Sequence, residues 1–179
     1  MARITCLGAG GWGTALALLA CQNGHEVTLW CRRPALVSRL RRERVNQVYL
    51  PGVSLPADLG ITSDLTAAVG RAEVVVWAVP SSGLREVAAE VCARGALPAS
   101  AAFVSTVKGI EHGTDLRMSQ VLGQIFPAHP VTVLSGPNHA EEVARGVPAA
   151  TVLAGPAGLS RQLQQIGRAS CRERVYVLV

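Results

Sequence analysis

The sequence predicts a doubly wound α/β domain on a mostly parallel sheet. Short, continuous apolar runs alternate with longer helical segments, the order expected of parallel strands joined by crossover helices. Of the residues, 49% are apolar and only 16% are charged, so the chain can build a core. A length of 179 residues allows one full domain and at most a fraction of another.

The elements follow in order. "RITCLG" is a short buried strand, and "GWGTALALLACQNG" an apolar helix stopped at Asn23-Gly24. "HEVTLWC" is a second strand. "PALVSRLRRERV" opens with Pro in its first turn and is an amphipathic helix with arginines on its wet face. "NQVYLPGVSLP", punctuated by Pro and Gly, reads as a loop, and "DLTAAVG" as a short helix. "AEVVVWAVP" is the clearest buried strand, continuous, β-branched and stopped by Pro80. "SSGLREVAAEVCARG" is a helix capped by Ser81 or Ser82. "AAFVSTV", "PVTVLSG" and "AATVLAG" are further strands, with helices at "NHAEEVARG" and "GLSRQLQQ".

In such sheets ligands bind beyond the carboxyl ends of the strands. Those ends carry Gly8 to Gly13, Arg32-Arg33, Val79-Pro80-Ser81, Thr106-Val107-Lys108-Gly109 and Ser135-Gly136-Pro137-Asn138.

Composition excludes several classes. Cys6, Cys21, Cys31, Cys92 and Cys171 show no CxxC spacing, so buried reduced thiols of a cytoplasmic protein are expected, without a zinc site or disulfide framework. The chain enters a strand at once with no signal peptide, and no apolar run reaches membrane-spanning length. The net charge is +5, and Arg32, Arg33, Arg39, Arg41, Arg42 and Arg44 crowd one window. That window lacks the interleaved aromatics of a single-strand nucleic-acid platform, so a solvated helix face explains it better.

Gly8-Ala9-Gly10-Gly11-Trp12-Gly13 is GxGxxG directly after a strand and opening a helix, the context that makes this motif informative. Gly8 permits the tight turn, Gly10 lets backbone approach a pyrophosphate, and Gly13 lets helix and strand pack closely. The free N–H groups of the helix start then face the phosphates. A Rossmann-like dinucleotide site follows. At the end of the second strand an NAD site typically places a carboxylate, and this chain has Arg32-Arg33, which favours NADP over NAD. The segment "LSGPNHAEEVARG" reads equally as a helix capped by Asn138 with Glu141, or as a turn holding an anionic group in the same cleft. Lys108 is the one lysine in the chain; every other fixed cation is arginine.

"LGAGGWGTALA", "NGHEVTLWCR", "YLPGVSLP", "VPSSGLREV", "VKGIEHGT" and "LSGPNHAEEVARGVPAA" occur in order and at suitable spacing. Together they resemble bacterial NAD(P)-dependent glycerol-3-phosphate dehydrogenase from about Ile4 to about Gln165. The resemblance implies hydride transfer between a nicotinamide cofactor and the dihydroxyacetone phosphate/glycerol 3-phosphate pair, for glycerophospholipid synthesis. It implies cofactor contacts at Gly11, Trp12, Arg32, Arg33, Tyr49, Lys108 and Ala140, and substrate contacts at Lys108, Gly136 and Asn138. Gly11 stands where serine is common, so only its backbone N–H remains for a contact. The resemblance also implies a second, all-helical domain carrying the general acid/base lysine, and a homo-oligomeric full-length protein. That domain is absent from this sequence, so no catalytic residue is assigned within the chain, which is expected to bind cofactor without turnover and to expose apolar surface at the cleft. The alternatives are a stand-alone dinucleotide-binding module and another dehydrogenase of the same broad class; the SGPNHAEE segment argues against the latter.

The end of the chain, "IGRASCRERVYVLV", shares none of this pattern and closes on an apolar "VYVLV" with nothing to pack on. "IGRASCRERV" resembles the translation of a common sequencing-library adapter. The expected division is a nucleotide domain over 1–165 and a non-native-looking tail over 166–179.

Overall fold

Parallel strands need a covering on both faces, and the period-2 side-chain alternation shows how this chain supplies it. In a computed structural model, which describes residues 1–167 and 174–178, β1 (Arg3–Leu7) sends Ile4 and Cys6 to one face and Leu7 to the other. β6 (Val74–Trp77) does likewise, with Val74 and Val76 opposed to Val75 and Trp77. On the first face lie α1 (Gly11–Gln22), α2 (Pro34–Glu43) and α7 (Ala157–Gly167), contributing Ala17, Leu36, Val37, Leu40 and Leu163. On the second lie α3 (Leu65–Val69), α4 (Ser81–Arg94) and α5 (Met118–Ile125), contributing Leu65, Leu84, Val87, Val91, Val121 and Leu122. The fold is therefore the expected doubly wound, Rossmann-like one.

The remaining strands are β2 (Glu26–Trp30), β3 (Val45–Asn46), β4 (Leu50–Ser54), β5 (Gly60–Thr62), β7 (Ala102–Ser105), β8 (Val131–Ser135), β9 (Ala150–Ala154) and β10 (Arg174–Leu178). Among the described residues the main sheet has 8 strands in the order β10-β9-β8-β7-β6-β1-β2-β5. Pairing is parallel except between β8 and β9, which run antiparallel. The reversal has a local cause. The helix between them, α6 (Ala140–Ala144), packs Ala144 against Ala15 and Leu18 of α1 instead of crossing the sheet.

Three expectations need correction. The Pro- and Gly-punctuated "loop" contains an antiparallel hairpin, β3–β4, whose Leu50 and Val53 are buried against α1. The helix α4 starts at Ser81 itself, with Pro80 at the cap and no side-chain cap bond. "VYVL", residues 175–178, does find a strand to pair with: β10 lies parallel to β9, with Val175 opposite Thr151 and Val177 opposite Leu153. Residues 168–173 of the adapter-like stretch lie outside the described residues.

Cys6 and Cys31 are buried as expected, but Cys21 is half-buried and Cys92 exposed. Burial pushes the Cys6 thiol up to about 12, with Cys21 adding to it, and the Cys21 thiol up to about 11. Neither is poised to react as a thiolate. Among the described residues no cluster of metal-ligating side chains occurs, and no helix is long and apolar enough to cross a membrane.

Candidate functional site

The carboxyl ends of β1, β2, β6, β7 and β8 open into one cleft of about 910 Å³. Gly8, Gly10, Gly11, Trp12, Gly13, Arg32, Arg33, Tyr49, Lys108, Gly136, Asn138 and Ala140 all line it. The residues singled out from the sequence thus converge on one place, though they come from widely separated segments.

The glycine loop shows why each glycine is there. Gly8 has φ +121°, a left-handed conformation that strains other residues, and a Cβ on it would lie 2.5 Å from the Ala78 carbonyl oxygen. A Cβ on Gly13 would lie 2.0 Å from the Gly8 carbonyl oxygen, so loop and helix could not close. Gly10 is different, because a Cβ there would meet no protein atom within 4 Å and would project into open cleft. The space is left for something other than protein. Gly10 caps α1 without a side-chain bond, and no acidic residue sits in the first turn. The first N–H groups of the helix are therefore available to an anion.

Gly11 has its own cause. A Cβ on it would lie 2.7 Å from the Tyr49 carbonyl oxygen and 3.6 Å from the Ala140 Cβ. The hairpin and α6 close over this position, so a side chain here would have to push the Tyr49 backbone aside.

What holds the hairpin over the loop is Asn46, which sequence reading missed. Its fully buried amide donates to the Ala9 carbonyl oxygen at 3.1 Å and to the Thr14 hydroxyl at 2.9 Å, and its Oδ1 accepts from the Tyr49 N–H at 3.3 Å. One side chain thus ties β3 to the glycine loop and to α1. No signal in "VNQVY" separates this asparagine from an ordinary loop residue.

At the other end of the cleft, Arg33 donates to the Tyr49 hydroxyl at 2.7 Å, with its guanidinium 5.6 Å from the ring centroid. Arg32 pairs with Glu86 of α4 at 3.1 Å.

Lys108 is exposed and follows β7, and among the described residues no carboxylate pairs with it. Gly109 has φ +99° and turns the chain sharply behind it. The turn closes through a bridge between Ile110 and Arg117 and is fastened to α4 by a two-pronged ion pair. Arg85 meets Glu111 through Nε at 2.7 Å and Nη2 at 2.8 Å, and Thr114 donates to the same carboxylate at 2.6 Å. The Arg85 guanidinium, and then the Thr114 hydroxyl, hold the Glu111 carboxyl down to about 2. A depressed carboxyl contributes stability that is complete above its unfolded value, near 4.5, and is lost as pH falls through about 2. Glu111→Gln should therefore melt below the parent at neutral pH, with the gap closing between pH 4.5 and 2. Parallel melting curves across that range check it.

Asn138 corrects the capping expectation. The helix α6 begins at Ala140 with His139 at its cap and no side-chain cap bond. The Asn138 amide instead lies back over Gly136, where a Cβ would meet its Nδ2 at 2.6 Å and the Ala150 carbonyl oxygen at 2.5 Å. Its Oδ1 is buried and has no hydrogen-bond partner among the described residues, and the residue lines the cleft. Space left at Gly10, open N–H groups at α1 and cations from β2 and β7 fit a dinucleotide and a second anionic group.

Comparison with known proteins agrees. A family described as NAD-dependent glycerol-3-phosphate dehydrogenase N-terminus matches residues 3–158. A glycerol-3-phosphate dehydrogenase [NAD(P)+] of Corynebacterium glutamicum is 45% identical over 98% of this chain and 53% of its own length. A Thermus thermophilus protein of the same name is 46% identical over 92% of this chain and 49% of its own. A crystal structure of glycerol-3-phosphate dehydrogenase from Coxiella burnetii superposes with a TM-score of 0.92 at 32% identity, over 99% of this chain and 54% of that one. The chain spans about half the length of the relatives it matches. It belongs to the NAD(P)-dependent glycerol-3-phosphate dehydrogenase family, of which it represents the N-terminal part.

Proposed function

We propose that this chain is the cofactor-binding half of an enzyme interconverting sn-glycerol 3-phosphate and dihydroxyacetone phosphate with NADP or NAD, in the cytoplasm, for glycerophospholipid synthesis. The observation that carries the proposal is the cleft, where a glycine loop with room for a ligand, an ammonium unpaired among the described residues and the side chain of Asn138 meet. On this reading residues 1–165 form the binding unit, and the full-length protein is a homo-oligomer.

Each residue then has a task. Gly8, Gly10, Gly11, Trp12 and Gly13 hold the pyrophosphate through free N–H groups and close backbone approach. Arg32, Arg33 and Tyr49 hold the adenosine end, where two guanidiniums favour a 2′-phosphate. Ala140 closes over the cofactor from α6. Lys108 is a point charge reaching both cofactor and substrate, and Gly136 and Asn138 complete the substrate side. When bound, the nicotinamide supplies or accepts the hydride. A separate group must supply the proton, a contribution of roughly 10²–10⁴-fold. With Lys108 spent on binding, the chain offers no second lysine for that step.

The chain alone is therefore expected to bind NADPH and NADH, seen as enhanced nicotinamide fluorescence, and to show no turnover with dihydroxyacetone phosphate. The full-length protein is expected to turn over. Absence of dinucleotide binding by a folded chain would overturn the proposal. So would a full-length protein that reduces a keto acid and leaves dihydroxyacetone phosphate untouched.

A further inference from the structure

We propose that Glu86 is a specificity-determining residue for the cofactor, acting by competing with a 2′-phosphate for Arg32. The inference deepens the dinucleotide reading above and rests on it.

Arg32 stands just past β2, where a 2′-phosphate would be read, and Glu86 faces it from α4; both line the cleft. Arg32 Nη1 lies 3.1 Å from Glu86 Oε2. The other charges on α4 are committed elsewhere, Arg85 to Glu111 and Arg94 to Glu90. Arg33, the neighbouring cation, is docked on Tyr49. Two arginines at this strand end therefore do not amount to two free cations.

A 2′-phosphate taking Arg32 must displace the carboxylate and then stand beside it. A 2′-hydroxyl requires neither. The pair has little to do with holding the fold, since its side chains are 50% and 69% exposed and such pairs contribute little to stability. Its effect falls on what shares the cleft with it. Glu86 thus offsets part of the NADP preference that Arg32-Arg33 would otherwise impose, and leaves the site open to both cofactors.

The test is titration of the chain with NADPH and with NADH, reading the ratio of the two dissociation constants. Glu86→Gln and Glu86→Ala should both move that ratio toward NADPH by about three- to tenfold at low salt, from one released exposed pair and one removed like charge. The shift should shrink toward none near 1 M salt, where screening acts within about 3 Å. In an Arg32→Gln background the Glu86→Gln shift should shrink to the part due to the removed like charge, because the competition acts through Arg32 alone. An unchanged ratio in both Glu86 variants overturns the inference, and so does an equal shift with and without Arg32. A parent chain that is folded by circular dichroism yet binds neither dinucleotide overturns the dinucleotide reading itself.

Discussion

Gly13→Ala should both unfold the chain more easily and remove dinucleotide binding. The added Cβ would sit 2.0 Å from the Gly8 carbonyl oxygen and 3.1 Å from the Ala78 Cβ, so α1 must lift off the end of β1. Overpacking against rigid backbone costs about 3 kcal/mol, the upper end of the usual range. For a chain of this size that lowers the melting temperature by roughly 6–12 °C. Gly10→Ala separates the two effects. Its Cβ meets nothing, and φ is already −72°, so melting should fall only by the few degrees that Ala in place of Gly costs at a helix N-cap. Binding should still weaken by about 10-fold or more, because the methyl group occupies the approach to the pyrophosphate. Melting scans and dinucleotide titration of both variants check this. A Gly13→Ala chain that melts with the parent would overturn the packing account, and full affinity in Gly10→Ala would overturn the ligand account.

The second large effect is at Lys108. In the full-length protein Lys108→Met should lower turnover by about 10–100-fold, the loss of one or two charge-assisted hydrogen bonds. Lys108→Arg should also fall sharply. A planar guanidinium cannot replace a small ammonium that must touch substrate and cofactor at once. Neither change should lower the melting temperature, since Lys108 is exposed and unpaired among the described residues. Near-normal turnover in Lys108→Arg would overturn the role given to it here.

Much of this was readable beforehand, and the misses have physical causes. Strands such as "AEVVVWAVP" announce themselves because a strand buried on both faces must be apolar throughout. The glycine loop announces itself because backbone crowding at Gly8 and Gly13 excludes any other residue. The hairpin β3–β4 was hidden because its first strand is two residues long and its second contains Pro51 and Gly52. The helix α5 went unread, its pattern interrupted by Gly123 and lacking any acidic first turn. The direction of β9 could not be read at all, because nothing in "AATVLAG" says which way it runs. That depends on α6 packing over α1 rather than over the sheet. Within the site, the proposed binding residues were visible as motifs, whereas Asn46, Glu86 and Glu111 act through tertiary contacts that no spacing encodes.

The buried amide of Asn46 bears on how portable the phosphate-binding motif is. The βαβ unit that carries GxGxxG is often thought of as a cassette, transferable because its glycines are local. Here the Ala9 carbonyl and the Thr14 hydroxyl take their donor from a residue 37 and 32 positions away. A graft ending at Trp30 would carry every glycine and leave both acceptors without that donor in a closed space. The structural unit in this domain is thus the loop with its hairpin. An insertion or recombination junction between α2 and β3 should be among the least tolerated in the domain, although it falls in what looks like an ordinary loop.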